Sequence, residues 1–315
     1  MDVPKLIDPE ISAALAGLPQ MDGFQFDQLP AMREVRLAQL ALMQLSDKTE
    51  RRDYVVPGKD GAPDVAIRVH RPAGSSGELP CLYFMHGGGY VFGTHLMDDL
   101  RFDRWCPSLN CVGVSVEYRL APETPYPGPL EDCYTGLKWV YENAATLGVD
   151  KYRIGIGGAS AGGGLAAGLA LLTRDRGEIP VAFQLLIYPM IDDTITSRSS
   201  AWQVPVWTPK SNNDGWDAYL GDLRHGDVPP YAAATRAQDL AGLPPAYVMV
   251  GALDGFLDED VEYAMRLTHA DVPTELHVYP GAPHGFDGIV PGSRLARQAR
   301  RDMEDWLARV MARRD

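Results

Sequence analysis

Seven short runs of mostly apolar residues recur along the chain from residue 64 onward, and the stretches between them carry helical spacing. The runs are DVAIRVHRP (64–72), CLYFMH (81–86), CVGVSVEY (111–118), RIGIGGAS (153–160), AFQLLIYP (182–189), AYVMVG (246–251) and ELHVYP (275–280). Helices are expected near 98–107, 129–146, 161–175, 258–270 and 293–313. Short apolar strands alternating with helices predict an α/β chain with a mainly parallel sheet covered on both faces. Residues 191–235 break this rhythm and read as an insertion, with a helix near 211–220. Residues 1 to about 55 read as helical, with Leu37, Leu40, Ala41 and Met43 on one face. The length of 315 residues then divides into an N-terminal helical piece, 1–50, and one core, 51–315, carrying the insertion.

Composition removes several partners. Twenty-nine basic against 42 acidic residues leave a net charge of −13, so nucleic acid and anionic membranes lack the basic face they need. No stretch of 18 apolar residues exists to span a bilayer. The opening MDVPKLIDPEISAALAGL lacks the basic and apolar regions of a signal peptide. Cys81, Cys106, Cys111 and Cys133 form no CxxC pair. A cytoplasmic protein with reduced thiols is therefore expected. The arginines at 294, 297, 300, 301, 309, 313 and 314 read as the solvated face of an amphipathic helix.

The chemistry concentrates in four places. Gly158-Ala159-Ser160-Ala161-Gly162 follows an apolar strand and opens a small-residue helix, the setting of a nucleophile elbow. The turn is so tight that positions two before and two after the serine must lack a side chain. A dinucleotide-binding reading fails because the third glycine position is Ser160. His86-Gly87-Gly88-Gly89 follows the strand CLYFM and can aim backbone N–H groups at a ligand. Gly88, Gly89 and Ala161 are the expected oxyanion donors. Of seven histidines, His70 and His277 fall in strands, His269 in a helix, His225 in the insertion, and His86 orients the glycine loop. His284, in the loop PGAPHGFD, is the expected base. The acid should follow a strand end between them, as Asp254 does, with Asp258 the competitor that also suits a helix N-cap.

Together these segments resemble the hormone-sensitive-lipase-like esterases, or bacterial family IV. The resemblance rests on HGGGYVFG (86–93), EYRLAPETPYPGPLEDC (117–133), GGASAGG (157–163), LDGFLDE (253–259) and HVYPGAPHGF (277–286), and spans about 60–313. It implies the α/β-hydrolase fold and a carboxylesterase for short to medium acyl chains, with Ser160, Asp254 and His284 as nucleophile, acid and base. It also implies a cap built from the N-terminal helices and residues 191–235. Family elbows usually carry Asp or Thr where this chain has Ala159, which removes a side-chain hydrogen bond there. Pairing of two copies through the strand at 275–280 is implied too. Neither metal nor organic cofactor is expected, since nucleophile and base are protein groups. A silent small-molecule receptor of the same fold, or an amidase using the same triad, are the competing readings. Tyr90, Phe92, Trp202, Val204, Val206 and Trp207 either line the substrate pocket or pack cap against core. Glu117, Arg119, Glu123 and Asp132 read as a buried polar network fixing the glycine and elbow loops, with a catalytic role for Glu123 the alternative.

Overall fold

The computed structural model describes residues 5–17 and 22–312. Among these, eight strands form one sheet: β1 Thr49–Val56, β2 Val65–Pro72, β3 Leu79–Met85, β4 Val112–Glu117, β5 Val149–Ala159, β6 Gln184–Ile187, β7 Ala246–Gly251 and β8 Thr274–Tyr279. The helices, in chain order, are α1 Pro9–Leu15, α2 Leu29–Ala41, α3 Asp99–Leu109, α4 Gly128–Glu142, α5 Ala144–Leu147, α6 Ala161–Arg176, α7 Pro209–Leu220, α8 Leu257–His269, α9 Phe286–Ile289 and α10 Arg294–Ala312. The strand order is β1-β2-β4-β3-β5-β6-β7-β8, antiparallel at the first two pairings and parallel throughout the rest.

β3 explains why the central runs are continuously apolar. Cys81, Tyr83 and Met85 point into a core shared with α4, α6 and α8. Leu82 and Phe84 point into the opposite core, against Phe102 and Trp105 of α3 and Trp306 of α10. Each such buried side chain contributes about 1.5–3 kcal/mol. α10 lays Leu295, Ala299, Met303, Trp306, Leu307 and Val310 on that core, while its arginines stay outside. Arg309 pairs with Glu275, and Arg300 donates to Pro291 O, so the basic face serves its own chain. Arg313 and Arg314 lie outside the described residues. The four cysteines are free and buried. No described helix is long and apolar enough to cross a membrane.

The N-terminal expectation fails in two places. Residues 49–56 are not helical but form edge strand β1, antiparallel to β2. Glu50, Arg51, Arg52 and Asp53 look like a helix surface in sequence, yet charged residues are what an edge strand needs to resist pairing with another chain. In α2, Leu37 and Ala41 are exposed and Met43 lies beyond the helix end. The face turned inward is Leu29, Arg33, Arg36 and Leu40, because Arg33 finds carbonyl partners that an apolar residue could not. β8, where two copies were expected to pair, lies at the sheet edge with β7 its single neighbour.

Asp98 closes the short turn after the glycine loop. It is buried, Oδ2 meets no partner among the described residues, and Arg101 stands 3.5 Å from Oδ1. Burial pushes its carboxyl from 3.8 up to about 7. A raised acid binds more protons folded than unfolded, so its contribution to stability falls as pH climbs from about 4 to about 7. Thermal unfolding should therefore find Asp98→Asn gaining on the parent by roughly 2–3 kcal/mol between pH 5 and pH 8. An unchanged difference across that interval would contradict the assignment.

Candidate active site

Ser160 sits between β5 and α6 with φ 57° and ψ −121°, a conformation L-residues rarely adopt. Three backbone hydrogen bonds lock it: Ser160 N–H donates to Ile187 O at 2.9 Å, and Ser160 O accepts from Gly164 N at 3.0 Å and Met190 N at 2.9 Å. The steric demand on the flanking glycines is literal. A Cβ on Gly158 would overlap Gly162 O, and one on Gly162 would overlap the carbonyls of Met85 and His86. The serine hydroxyl is thereby held at the C-terminal edge of the sheet, above the N-terminus of α6.

His284 meets it there. Nε2 lies 2.9 Å from Ser160 Oγ, and Nδ1 lies 2.7 Å from Asp254 Oδ2. Asp254 is fully buried just past β7, and its Oδ1 accepts the N–H of Phe256 at 3.1 Å. The acid and histidine loops are tied directly, by Ala252 N–H to Tyr279 O at 2.9 Å and Leu253 N–H to Ala282 O at 3.0 Å. Asp258 is neither a partner of His284 nor an N-cap. It stands inside the first turn of α8 and accepts Ser199 N–H at 2.8 Å. The other histidines take the structural positions expected: His70 is buried on Asp99, His277 lies in β8, His269 ends α8, and His225 is exposed.

The glycine loop abuts the serine. A Cβ on Gly87 would stand 3.4 Å from Ser160 Cβ. Gly88 and Gly89 have φ of 128° and 60°, in the region that glycine enters without steric cost. Among the described residues, the N–H groups of Gly88, Gly89 and Ala161 donate to no protein acceptor. His86 is buried and stacked on Tyr118 at 4.2 Å; burial lowers it to about 4, so it braces the loop as a neutral ring. Its Nδ1 lies 2.9 Å from Gly87 O. From α2, Arg33 donates to Val91 O and Ala121 O and pairs with Glu123. Glu123 is therefore not buried as expected, its side chain being 55% exposed, because it meets Arg33 at the surface. Asp132 is buried and holds Arg119 through both carboxylate oxygens, and Glu117 accepts from Thr94 and His95.

Three aromatic rings enclose His284: Tyr188 at 4.8 Å, Phe256 at 5.0 Å and Trp207 at 6.0 Å between centroids. Trp207 also covers Gly89, where a Cβ would overlap its ring, and meets Phe24 edge-on at 5.7 Å. Of the other residues expected at a pocket, Phe92 is half-buried and packs with Phe24 on Leu29, Val91 and Ala121. Trp202 and Val204 pack with Ile7 on Leu253, and Val206 is exposed. Tyr90 is a correction. It is fully buried, stacked on Tyr219 at 3.9 Å with its hydroxyl on Met190 O, because its φ of 66° turns the ring into the core.

Comparison with known proteins gives the lineage. A family model for the alpha/beta hydrolase fold matches residues 82–288. Carboxylesterase NlhH of Mycobacterium tuberculosis is 35% identical over 91% of this chain and 92% of its own length. Esterase LipI of the same organism is 33% identical, covering 92% of each. This chain is a hormone-sensitive-lipase-like α/β hydrolase. Among solved structures, a bacterial heroin esterase superposes on the hydrolase with a TM-score of 0.92 and 39% identity, covering 98% of this chain and 99% of that one.

Several residues of the hydrolase's site carried no sequence signal. Tyr188 is the last apolar residue of a strand run, and Phe256 stands inside the acid loop. Phe24, Arg33 and Ser199 lie in segments that read as helix surface or loop. Each reaches the site only through contacts with residues distant in the chain, from Phe256 with His284 to Phe24 with Trp207, where no local period marks it. Among the described residues, no group of three or more His, Cys, Asp or Glu is arranged to hold a metal ion.

Proposed function

We propose that this α/β hydrolase is a serine carboxylesterase that cleaves short- to medium-chain carboxylic esters through an acyl-enzyme. The observation that carries the reading is the continuous line Ser160 Oγ, His284 and Asp254, with contacts of 2.9 and 2.7 Å. Ser160 attacks the ester carbonyl as His284 Nε2 takes its proton, and Asp254 holds Nδ1–H and stabilises the imidazolium. The N–H groups of Gly88, Gly89 and Ala161 receive the developing oxyanion, aided by the positive end of α6. The alcohol leaves with the proton from His284, and water repeats the sequence on the acyl-enzyme. Nucleophile and base are both protein groups, so the cycle requires no cofactor.

The N-terminal helices and residues 191–235 act as the cap in this reading. Support comes from Phe24 and Trp207, one from each piece, meeting beside Gly89. A roof of that kind favours a small acyl group. The names of the relatives, two esterases and a carboxylesterase, agree with ester hydrolysis.

The test is kinetic, on purified enzyme with p-nitrophenyl esters of rising chain length and matched anilides. Esters should be turned over far faster than anilides, with kcat/KM falling steeply before about ten acyl carbons. Faster anilide cleavage would convert the reading to an amidase. Stoichiometric labelling by an organophosphonate without ester turnover would convert it to a silent receptor.

A further inference from the structure

Asp254 has two oxygens and two partners. Oδ2 takes the imidazole and Oδ1 takes the N–H of Phe256 at 3.1 Å. That N–H belongs to the peptide unit joining Gly255 and Phe256, whose other end is the carbonyl of Gly255. A trans peptide is rigid and planar, with N–H and C=O pointing in opposite directions. The carbonyl end is held by Ser199 Oγ–H, which donates to Gly255 O at 2.9 Å.

Ser199 comes from the insertion, 56 positions away, and is fully buried. Its other groups are also committed. Oγ accepts the N–H of Asp258 at 3.0 Å, and its own N–H donates to Asp258 Oδ2 at 2.8 Å. Ser197 Oγ also lies 3.4 Å from Ser199 Oγ, and Gly255 O, at 2.9 Å, is the nearer acceptor for the hydroxyl proton. Holding the carbonyl end of a rigid peptide fixes the direction of its N–H end as well.

We propose that Ser199 is a positioning residue that extends the catalytic line by one peptide unit. The line runs from Ser199 Oγ–H through the 255–256 peptide to Asp254, then to His284 and Ser160. Ser199 touches no reacting atom. It orients the amide that donates to Asp254 Oδ1, and so keeps Oδ2 aimed at Nδ1–H, where the carboxylate must meet the imidazolium. This inference rests on the serine-esterase reading above.

Other ionisable groups surround this line, and of these Asp258 alone is hydrogen-bonded to Ser199. They are Asp258, Glu259 and Asp260 of α8, Asp192 of the insertion, and Tyr188 with Asp287 beside His284. Burial pushes Glu259 and Asp260 well above the usual carboxylate range, and it raises Tyr188 as well.

The test uses Ser199→Ala, Ser199→Cys and Ser199→Thr in the full-length enzyme. With a p-nitrophenyl short-chain ester, Ser199→Ala should lower kcat roughly tenfold with KM nearly unchanged. The acid limb of its kcat/KM profile should move to lower pH, because a less well held carboxylate stabilises the imidazolium less. The low-field proton resonance of the His284–Asp254 hydrogen bond should move upfield. Ser199→Thr, which keeps the hydroxyl, should restore limb and resonance. An alanine variant with the parent's kcat, limb and resonance overturns the proposal, as does a threonine variant as impaired as alanine. If the alanine chain does not fold, the cysteine variant decides, since its thiol is a weaker donor of similar size. A lowered limb then supports the proposal and a parental limb overturns it. Activity surviving in Ser160→Ala would instead remove the serine reading itself, so the two failures are separable.

Discussion

Ser160→Ala is expected to lower kcat/KM for a p-nitrophenyl short-chain ester by on the order of 10⁶-fold. The remaining rate over water comes from the glycine loop and substrate binding, which the substitution leaves intact. The fold should survive, with Tm within about 2–4 °C of the parent. The hydroxyl's one partner among the described residues is His284 Nε2, so nothing structural hangs from it. Alanine inherits the same backbone strain at φ 57°, already held by three backbone hydrogen bonds. Calorimetry beside the kinetics checks both halves. Near-parental turnover in a folded variant would remove Ser160 as nucleophile.

The second large effect separates two aspartates four positions apart. Asp254→Asn keeps shape but puts an amide where a carboxylate accepted Nδ1–H. The amide can donate to Nδ1 and so favour the tautomer whose Nε2 carries the proton, leaving no base facing Ser160. A loss of about 10⁴-fold in kcat is expected. Asp258→Asn keeps a carbonyl oxygen for Ser199 N–H and faces no ring of His284, so its loss should stay within about tenfold. Steady-state kinetics of both variants on one ester suffice. A ranking in the opposite order would move the acid to Asp258.

Much of the fold was legible because the relevant constraints are local. The run CLYFMH is apolar on alternate and intervening positions, and β3 does face two cores. The small residues around Ser160 announce a turn where side chains cannot fit, and the overlaps at Gly158 and Gly162 are that constraint in atoms. What misled was residue character without its partner. Thr49–Val56 carries charges that suit a helix surface as well as an edge strand, and only β2 beside it decides. Nothing in the sequence singled out Arg33, which two carbonyls of the glycine-loop region draw inward. Tyr90 stood open in sequence between lining a pocket and packing cap against core, and its positive φ turns it to the second, onto Tyr219.

By itself the sequence determined the strand–helix order, the tight serine turn, the glycine loop and the chain order of serine, aspartate and histidine. Each depends on properties carried within a few residues: period, Cβ volume and the φ that glycine alone adopts freely. Only the tertiary structure decided which aspartate reaches the imidazole, which rings enclose it, and that a serine from the insertion grips the peptide behind Asp254. Those are matters of hydrogen-bond direction and ring placement between segments far apart in the chain. No one-dimensional pattern records such directions.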